Sequence, residues 1–240
     1  MEIIRNCSHL SSVYIALIMD NLNNPEKVLK SSFEKEGIND ILNEYNGYCW
    51  YAYQLNFNQD DVVSLYQYNN SYAILKTKYH MGNLGNPYAS IKNNYPKLFN
   101  ALTYYFKLFG KTDYQFSHGD YSLSNLIFLH ENVDWIIDWE HFNNVLPPEF
   151  DILNCIMEIC YFNFIGTGTI SKSEVNQIIK LLYYAQENIS LSESALIKPA
   201  QCLSNYYNSN KSLFGSQYYK YPLAICPTES INKIDAFFNS

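Results

Sequence analysis

Phe116-Ser117-His118-Gly119-Asp120-Tyr121-Ser122-Leu123-Ser124-Asn125-Leu126-Ile127-Phe128, followed by Val133-Asp134-Trp135-Ile136-Ile137-Asp138-Trp139-Glu140, decides the reading of this chain. Asp120 and Asn125 stand five residues apart across a polar loop, and Asn125 leads straight into an apolar segment. A second apolar segment ends at Asp138. Two short strands joined by a turn around Glu131-Asn132 would form a hairpin, setting Asn125 at the start of one strand beside Asp138 at the end of the other. An amide oxygen beside a carboxylate is an oxygen-rich site suited to Mg²⁺. Asp120, one loop away, is left to accept a proton from a hydroxyl. A metal that neutralises developing charge and a carboxylate that orients a nucleophile are parts that phosphoryl transfer needs. Taken singly, Asp120 could cap a neighbouring turn and Asp138 could close an Asx turn, but those uses leave the joint spacing unexplained.

His118-Gly119-Asp120, then Asn125 at the fifth position after the aspartate, then Ile137-Asp138-Trp139-Glu140, resembles the catalytic and metal-binding segments of the aminoglycoside/choline phosphotransferase family. That family shares its fold with protein kinases, whose catalytic loop has the same Asp-to-Asn spacing. The resemblance implies an α+β, two-lobed protein-kinase-like fold. A small β-rich lobe over residues 1–80 would bind nucleotide, and a mainly helical lobe over 81–240 would carry catalysis and the acceptor. It also implies ATP, or GTP, as phosphoryl donor and Mg²⁺ as cofactor. Carried over by position, Asp120 is the catalytic base and Asn125 and Asp138 are the Mg²⁺ ligands. His118 becomes a structural member of the loop, Gly119 leaves room for its tight turn, and Asp151 braces it.

The same resemblance reaches into the first lobe. There the family uses a strand lysine on the nucleotide phosphates, held by a helix glutamate. Lys30, ending Lys27-Val28-Leu29-Lys30, matches the lysine, and Glu44 on the following helix matches the glutamate; Lys27, Glu34 and Glu36 compete for those roles. The phosphate-covering loop would be Ser8-His9-Leu10-Ser11-Ser12, with Ser11 and Ser12 as candidate contacts. It has no glycine, a departure from the protein-kinase G-x-G-x-x-G pattern. The segment Lys76-Thr77-Lys78-Tyr79-His80 is expected to meet the base through its backbone, which leaves ATP and GTP undistinguished.

Outward from these motifs, the first third reads as strands over 2–4, 13–19, 27–30, 62–68 and 71–78. The last two are joined by an Asn69-Asn70 hairpin turn. A helix with apolar residues at Ile38, Ile41, Leu42, Tyr45 and Tyr48 interrupts them. Met81-Gly82-Asn83-Leu84-Gly85-Asn86-Pro87 breaks the pattern and sets the lobe boundary. Helical spacing follows over 89–109, 148–164 and 172–187. Pro147-Pro148-Glu149 marks one of the starts.

Composition narrows the classes. Of 240 residues, 48% are hydrophobic and 16% charged, ample for a core and too apolar for disorder. A net charge of -7 and a pI near 5.2 oppose a phosphate-tracking surface, so nucleic acid is not an expected partner. The six cysteines form no C-x-x-C pair or zinc spacing, which fits reduced thiols in a cytoplasm. The chain start shows no signal-peptide pattern, and Val13–Met19 is too short to span a bilayer, so a soluble protein without a membrane partner is expected.

These readings converge on a small-molecule kinase whose partners are a nucleotide and a hydroxylated acceptor such as a sugar, an aminoglycoside-like or a choline-like compound. A nucleotide-binding pseudokinase, favoured by the glycine-free loop, is the alternative. The acceptor itself is not written in the sequence. Residues 141–240 hold eight acids against six lysines, which is no dedicated polycation site, and their many tyrosines suit a core as well as a ligand.

Overall fold

Five strands and one long helix build the first third of the molecule. The computed structural model describes residues 2–6, 13–68, 71–110, 116–143 and 145–239. Strands β1 (Glu2–Asn6), β2 (Tyr14–Met19), β3 (Pro25–Ser32), β4 (Val63–Tyr68) and β5 (Tyr72–Lys78) form one antiparallel sheet in the order β1-β2-β3-β5-β4. In β5, Ala73, Leu75 and Thr77 are buried while their neighbours are more open, the pattern of a sheet covered on one face. β3 is longer than the expected Lys27–Lys30 and starts at Pro25, where a missing strand N–H does no harm. Its Lys30 sits opposite Ile15 of β2 and Leu75 of β5.

Between β3 and β4 run α1 (Lys35–Gln54) and the single turn α2 (Gln59–Val62). α1 buries Ile38, Ile41, Glu44, Tyr48 and Tyr51, three or four residues apart, so they share one face. Glu44 is the one charge on that stripe. Residues 1–81 and Asp138–Phe142 make one compact unit; Gly82–Ile137 and Asn143–Ser240 make the other. Within the first unit, fully buried Trp139 lies against α1, its ring 5.2 Å from that of Tyr51 and 5.9 Å from that of Trp50. Gly47 makes the approach possible, because a Cβ there would stand 2.5 Å from the Trp139 Cβ. One turn earlier, Asn43 Nδ2 donates to the Glu140 carbonyl at 2.9 Å.

The second unit holds the short antiparallel sheet β6 (Asn83–Leu84), β7 (Leu126–Leu129) and β8 (Asn132–Ile136). Its long helices are α3 (Ile91–Phe109), α4 (Pro148–Thr167) and α5 (Lys172–Ile189). The short helices α6 (Glu193–Ile197), α7 (Pro199–Ser209), α8 (Lys211–Phe214), α9 (Pro222–Ile225) and α10 (Thr228–Ala236) complete it. α4 is the axis of this unit. From Glu149 to Cys160 only Glu158 is not buried, and α3, α5, α7, α9 and α10 all pack on it. A helix buried on all sides belongs inside a bundle, and the polar groups α4 takes with it, Glu149, Asp151 and Asn154, are hydrogen-bonded there. It starts with Pro148 in the first turn and stops at Gly168, whose φ of +73° suits glycine.

Two local expectations are corrected. β8 stops at Ile136, so Asp138 does not end a strand; it lies past it with φ +64°. Asn125 closes a 3₁₀ turn, Leu123–Asn125, and β7 starts one residue later. The Asn125 N–H closes the 3₁₀ turn on the Ser122 carbonyl at 3.0 Å, and one last cross-chain bond, from Ile137 N–H to the Asn125 carbonyl at 3.0 Å, lies just past the paired strands. The hairpin turn expected at Asn69-Asn70 lies outside the described residues. Among the described residues no helix is long and apolar enough to cross a membrane.

Candidate active site

In the first unit, the site residues are set by a strand and a helix facing each other. Lys30 projects from β3, and its Nζ lies 2.8 Å from Glu44 Oε2 on α1 and 2.7 Å from Asp138 Oδ1. The lysine side chain is 15% exposed, that of Glu44 3% and that of Asp138 33%. A buried charge needs a partner, and this explains how an acid occupies the apolar stripe of α1. Burial works against the Lys30 charge, but Asp138, Glu44 and Glu140 outweigh it and hold the ammonium well above its ordinary range. Burial pushes the Glu44 carboxyl up to about 7, opposed by Lys30. The competing residues are placed otherwise. Lys27 is an open side chain paired with its neighbour Glu26 at 3.4 Å, and Glu34 and Glu36 are exposed.

In the second unit, Asp151 organises the loop that carries Asp120. Its Oδ2 accepts the His118 backbone N–H at 2.6 Å and the Tyr105 hydroxyl at 3.0 Å; its Oδ1 accepts the Gly119 N–H at 2.9 Å. The carboxyl is fully buried, and burial pushes it up to about 7 while these donors pull it back. The His118 ring is held between the Ile137 carbonyl, 3.0 Å from Nε2, and the Asp120 N–H, 3.3 Å from Nδ1. Gly119 has φ +84°, a conformation that glycine adopts without strain. The loop is therefore fixed from its backbone, and the Asp120 carboxylate is presented at its end.

That carboxylate is gripped at both oxygens. Asn125 Nδ2 donates to Oδ2 at 3.0 Å and to the Asp120 carbonyl at 2.9 Å. Asn154 Nδ2, from α4, donates to Oδ1 at 3.1 Å. Because the Asn125 amide nitrogen is committed to Asp120, its carbonyl oxygen is turned the other way and accepts no hydrogen bond among the described residues. An open amide oxygen is a fitting ligand for a hard cation. Among the described residues no three His, Cys, Asp or Glu side chains cluster to hold a metal by themselves. A Mg²⁺ site needs no such cage when substrate phosphates and water complete its shell.

Of the residues expected from sequence, Lys30, Glu44 and Asp138 meet in the first unit, and Asp120 and Asn125 meet in the second. Ser11 and Ser12 lie outside the described residues. Tyr79 N–H, in the segment expected to meet the base, donates to the Glu26 carbonyl at 2.9 Å. Asn154 was missed. Its signal was a lone amide in the otherwise apolar stretch Ile152-Leu153-Asn154-Cys155-Ile156-Met157.

Comparison of the whole chain with solved structures gives a consistent answer. The streptomycin–ATP ternary complex of APH(2″)-IIa matches with a TM-score of 0.51, covering 95% of this chain and 92% of that one at 14% identity. The chain has the aminoglycoside phosphotransferase fold. The gentamicin complex of APH(2″)-IIa matches at a TM-score of 0.50 over 94% of this chain and 91% of that chain, again at 14% identity. No protein-family model matches the sequence, and no curated protein matches it. In this chain the aminoglycoside phosphotransferase fold comprises a β-sheet unit that carries Lys30 and a helical unit that carries the Asp120 loop.

Proposed function

We propose that this chain is a nucleotide-dependent small-molecule kinase, moving the γ-phosphoryl group of ATP, or GTP, onto a hydroxyl of a small acceptor. The observation that carries the reading is the Asp120 carboxylate, held at both oxygens by amide donors at the end of a braced loop. A carboxylate so fixed can accept a proton from an alcohol and aim its oxygen, and little more is asked of the protein in phosphoryl transfer. The acceptor oxygen bonds to the γ-phosphorus as the bond from that phosphorus to the bridging oxygen breaks. The nucleoside diphosphate departs with the electron pair, and the acceptor proton passes to Asp120. Lys30, steadied by Glu44, neutralises phosphate charge. Asn125 and Asp138 would hold Mg²⁺, which when bound supplies further neutralisation of the phosphates. Ser11 and Ser12, which precede β2 in the sequence, would contact the phosphates.

A cytoplasmic setting goes with this reading, since nucleotide is available there. The described cysteines Cys49, Cys155, Cys160, Cys202 and Cys226 are all free thiols. Streptomycin and gentamicin, bound by APH(2″)-IIa, head the acceptor panel to be tried, followed by simple sugars and choline.

Thermal unfolding with Mg²⁺-ATP and Mg²⁺-GTP tests the nucleotide site. Ligand at about 100 times its dissociation constant stabilises by about 2.7 kcal/mol, a rise of about 5–10 °C for a chain this long. The rise is expected to need Mg²⁺ and to vanish in Asp138→Asn. Asp120→Ala is expected to keep the rise and to lose turnover by about a thousandfold or more. A Mg²⁺-dependent rise without turnover on any acceptor or on water would turn the reading to a nucleotide-binding pseudokinase. Turnover unaffected in Asp120→Ala would remove the role given to that residue.

A further inference from the structure

We infer that Asn154 and Tyr207 form a two-residue positioning relay that fixes the Asp120 carboxylate in its working orientation. The inference rests on the phosphotransferase reading of Asp120. Asn154 Nδ2 stands 3.1 Å from Asp120 Oδ1, while its Oδ1 accepts the Tyr207 hydroxyl at 2.6 Å. All three residues belong to the same unit.

The geometry gives each residue a separate task. An asparagine amide can present either its oxygen or its nitrogen, and its neighbours decide which. A phenol has one proton to donate. Given to Asn154 Oδ1, it leaves Nδ2 as the end that faces Asp120. Burial, then the charges of Asp120, Glu158 and Asp151, hold the Tyr207 phenol well above its ordinary range, so it stays a donor. Tyr207 itself cannot swing. It is 1% exposed, with Phe150 and Phe214 rings each 5.1 Å from its own and Tyr221 stacked at 4.8 Å. Asn154 is 5% exposed and stands on α4, the most buried helix of the unit.

The consequence concerns rotation of the carboxylate. Asn125 holds the Asp120 group at Oδ2 and so opposes its turn about the terminal bond from one side. A second donor on the other oxygen stops that turn and keeps one lone pair of the carboxylate aimed in a fixed direction. Asn125 would also hold the proposed cation; Asn154 has Asp120 and a weak 3.5 Å contact to the Tyr121 carbonyl. Misplacement of a reacting group by about 1 Å can lower a rate by about a hundredfold. A relay of two buried groups is the type of support that a catalytic side chain needs.

Hydrolysis of Mg²⁺-ATP and of Mg²⁺-GTP, with water as the acceptor, reads this without knowledge of the natural acceptor. Wild type, Asp120→Ala, Asn154→Leu, Tyr207→Phe and the Asn154→Leu/Tyr207→Phe double variant are compared for kcat, KM for the nucleotide and melting temperature. Asn154→Leu is expected to lower kcat about tenfold to a hundredfold with KM unchanged. Tyr207→Phe, which removes a single oxygen and keeps the ring packing, is expected to lower it about threefold to tenfold. The double variant is expected to be no slower than Asn154→Leu alone, because both changes act through one amide.

Wild-type kcat in Asn154→Leu, or losses that multiply in the double variant, overturn the relay while leaving Asp120 in its role. Loss of kcat that tracks melting temperature across the three variants overturns it too, as a packing effect. Hydrolysis that persists undiminished in Asp120→Ala removes the role given to Asp120 and the relay with it, whereas wild-type protein that binds Mg²⁺-nucleotide and turns over on no acceptor and not on water overturns the phosphotransferase reading itself.

Discussion

Lys30 stands between two carboxylates, and that arrangement predicts how its loss depends on pH. Lys30→Met leaves Glu44 buried without its cation, a change that costs about 3–5 kcal/mol when the remaining charge cannot escape. Glu44 can escape by taking up a proton, since burial already pushes it up to about 7. The destabilisation should therefore be nearly complete at pH 8 and much reduced at pH 5, as measured by urea unfolding at the two pH values. Glu158 offers a cleaner test of the same physics. Burial pushes its carboxyl up to about 7, and its Oε2 has no hydrogen-bond partner among the described residues. A pKa raised in the folded state means stability that is present at low pH and lost as pH rises through about 5 to 7. Glu158→Gln should raise the melting temperature at pH 8 by about 5 °C, for a gain on the order of 2 kcal/mol, and should be neutral at pH 4. At this scale the pairing of Lys30 with Glu44 came from the resemblance to the phosphotransferase family, since spacing alone left Lys27, Glu34 and Glu36 as competitors. The grip of Asn154 on Asp120 was not legible, because a single amide in an apolar helix has many uses until its neighbours are known.

Among the elements, α1 carries Glu44 in the first unit and α4 carries Asp151 and Asn154 in the second, and each was legible for a different reason. α1 shows helical spacing of apolar residues, and α4 opens on Pro148 with acids in its first turn. The contact that fixes α1 was hidden. Gly47 in a helix ordinarily weakens it, and Gly→Ala gains about 1 kcal/mol of propensity. Here the added methyl meets the Trp139 Cβ at 2.5 Å, and overpacking of that kind costs about 1–3 kcal/mol. Gly47→Ala should lower the melting temperature by a few degrees in spite of its propensity, and Gly47→Val by more; a rise in the alanine variant would show that Trp139 yields. α6 to α10 were not separable in the sequence. α6, α8 and α9 have five residues or fewer, too few to repeat an amphipathic pattern, and Pro199 and Pro222 mark the starts of α7 and α9.

For the molecule as a whole, the fold was readable from one stretch and its surroundings. The spacing from His118 to Glu140 resembled a known catalytic block, and a strand-rich first third followed by helices agreed with it. The identity to solved relatives of that fold is only 14%, so spacing rather than bulk similarity carried the information. The acceptor stayed illegible because recognition of a small molecule depends on which of many aromatic and polar side chains converge on it, and no periodicity records that.

Asp138–Phe142 belongs to the first unit, although the residues before and after it belong to the second. Neither unit is therefore a continuous piece of chain. A gene fragment ending near Met81 would encode the sheet and α1 without Trp139, leaving an open slot over Gly47 and removing Asp138 from Lys30. Such a fragment could not be traded between proteins as a self-sufficient module. Recombination would have to carry both halves of the coding sequence together, which ties the inheritance of the lysine to that of the aspartate.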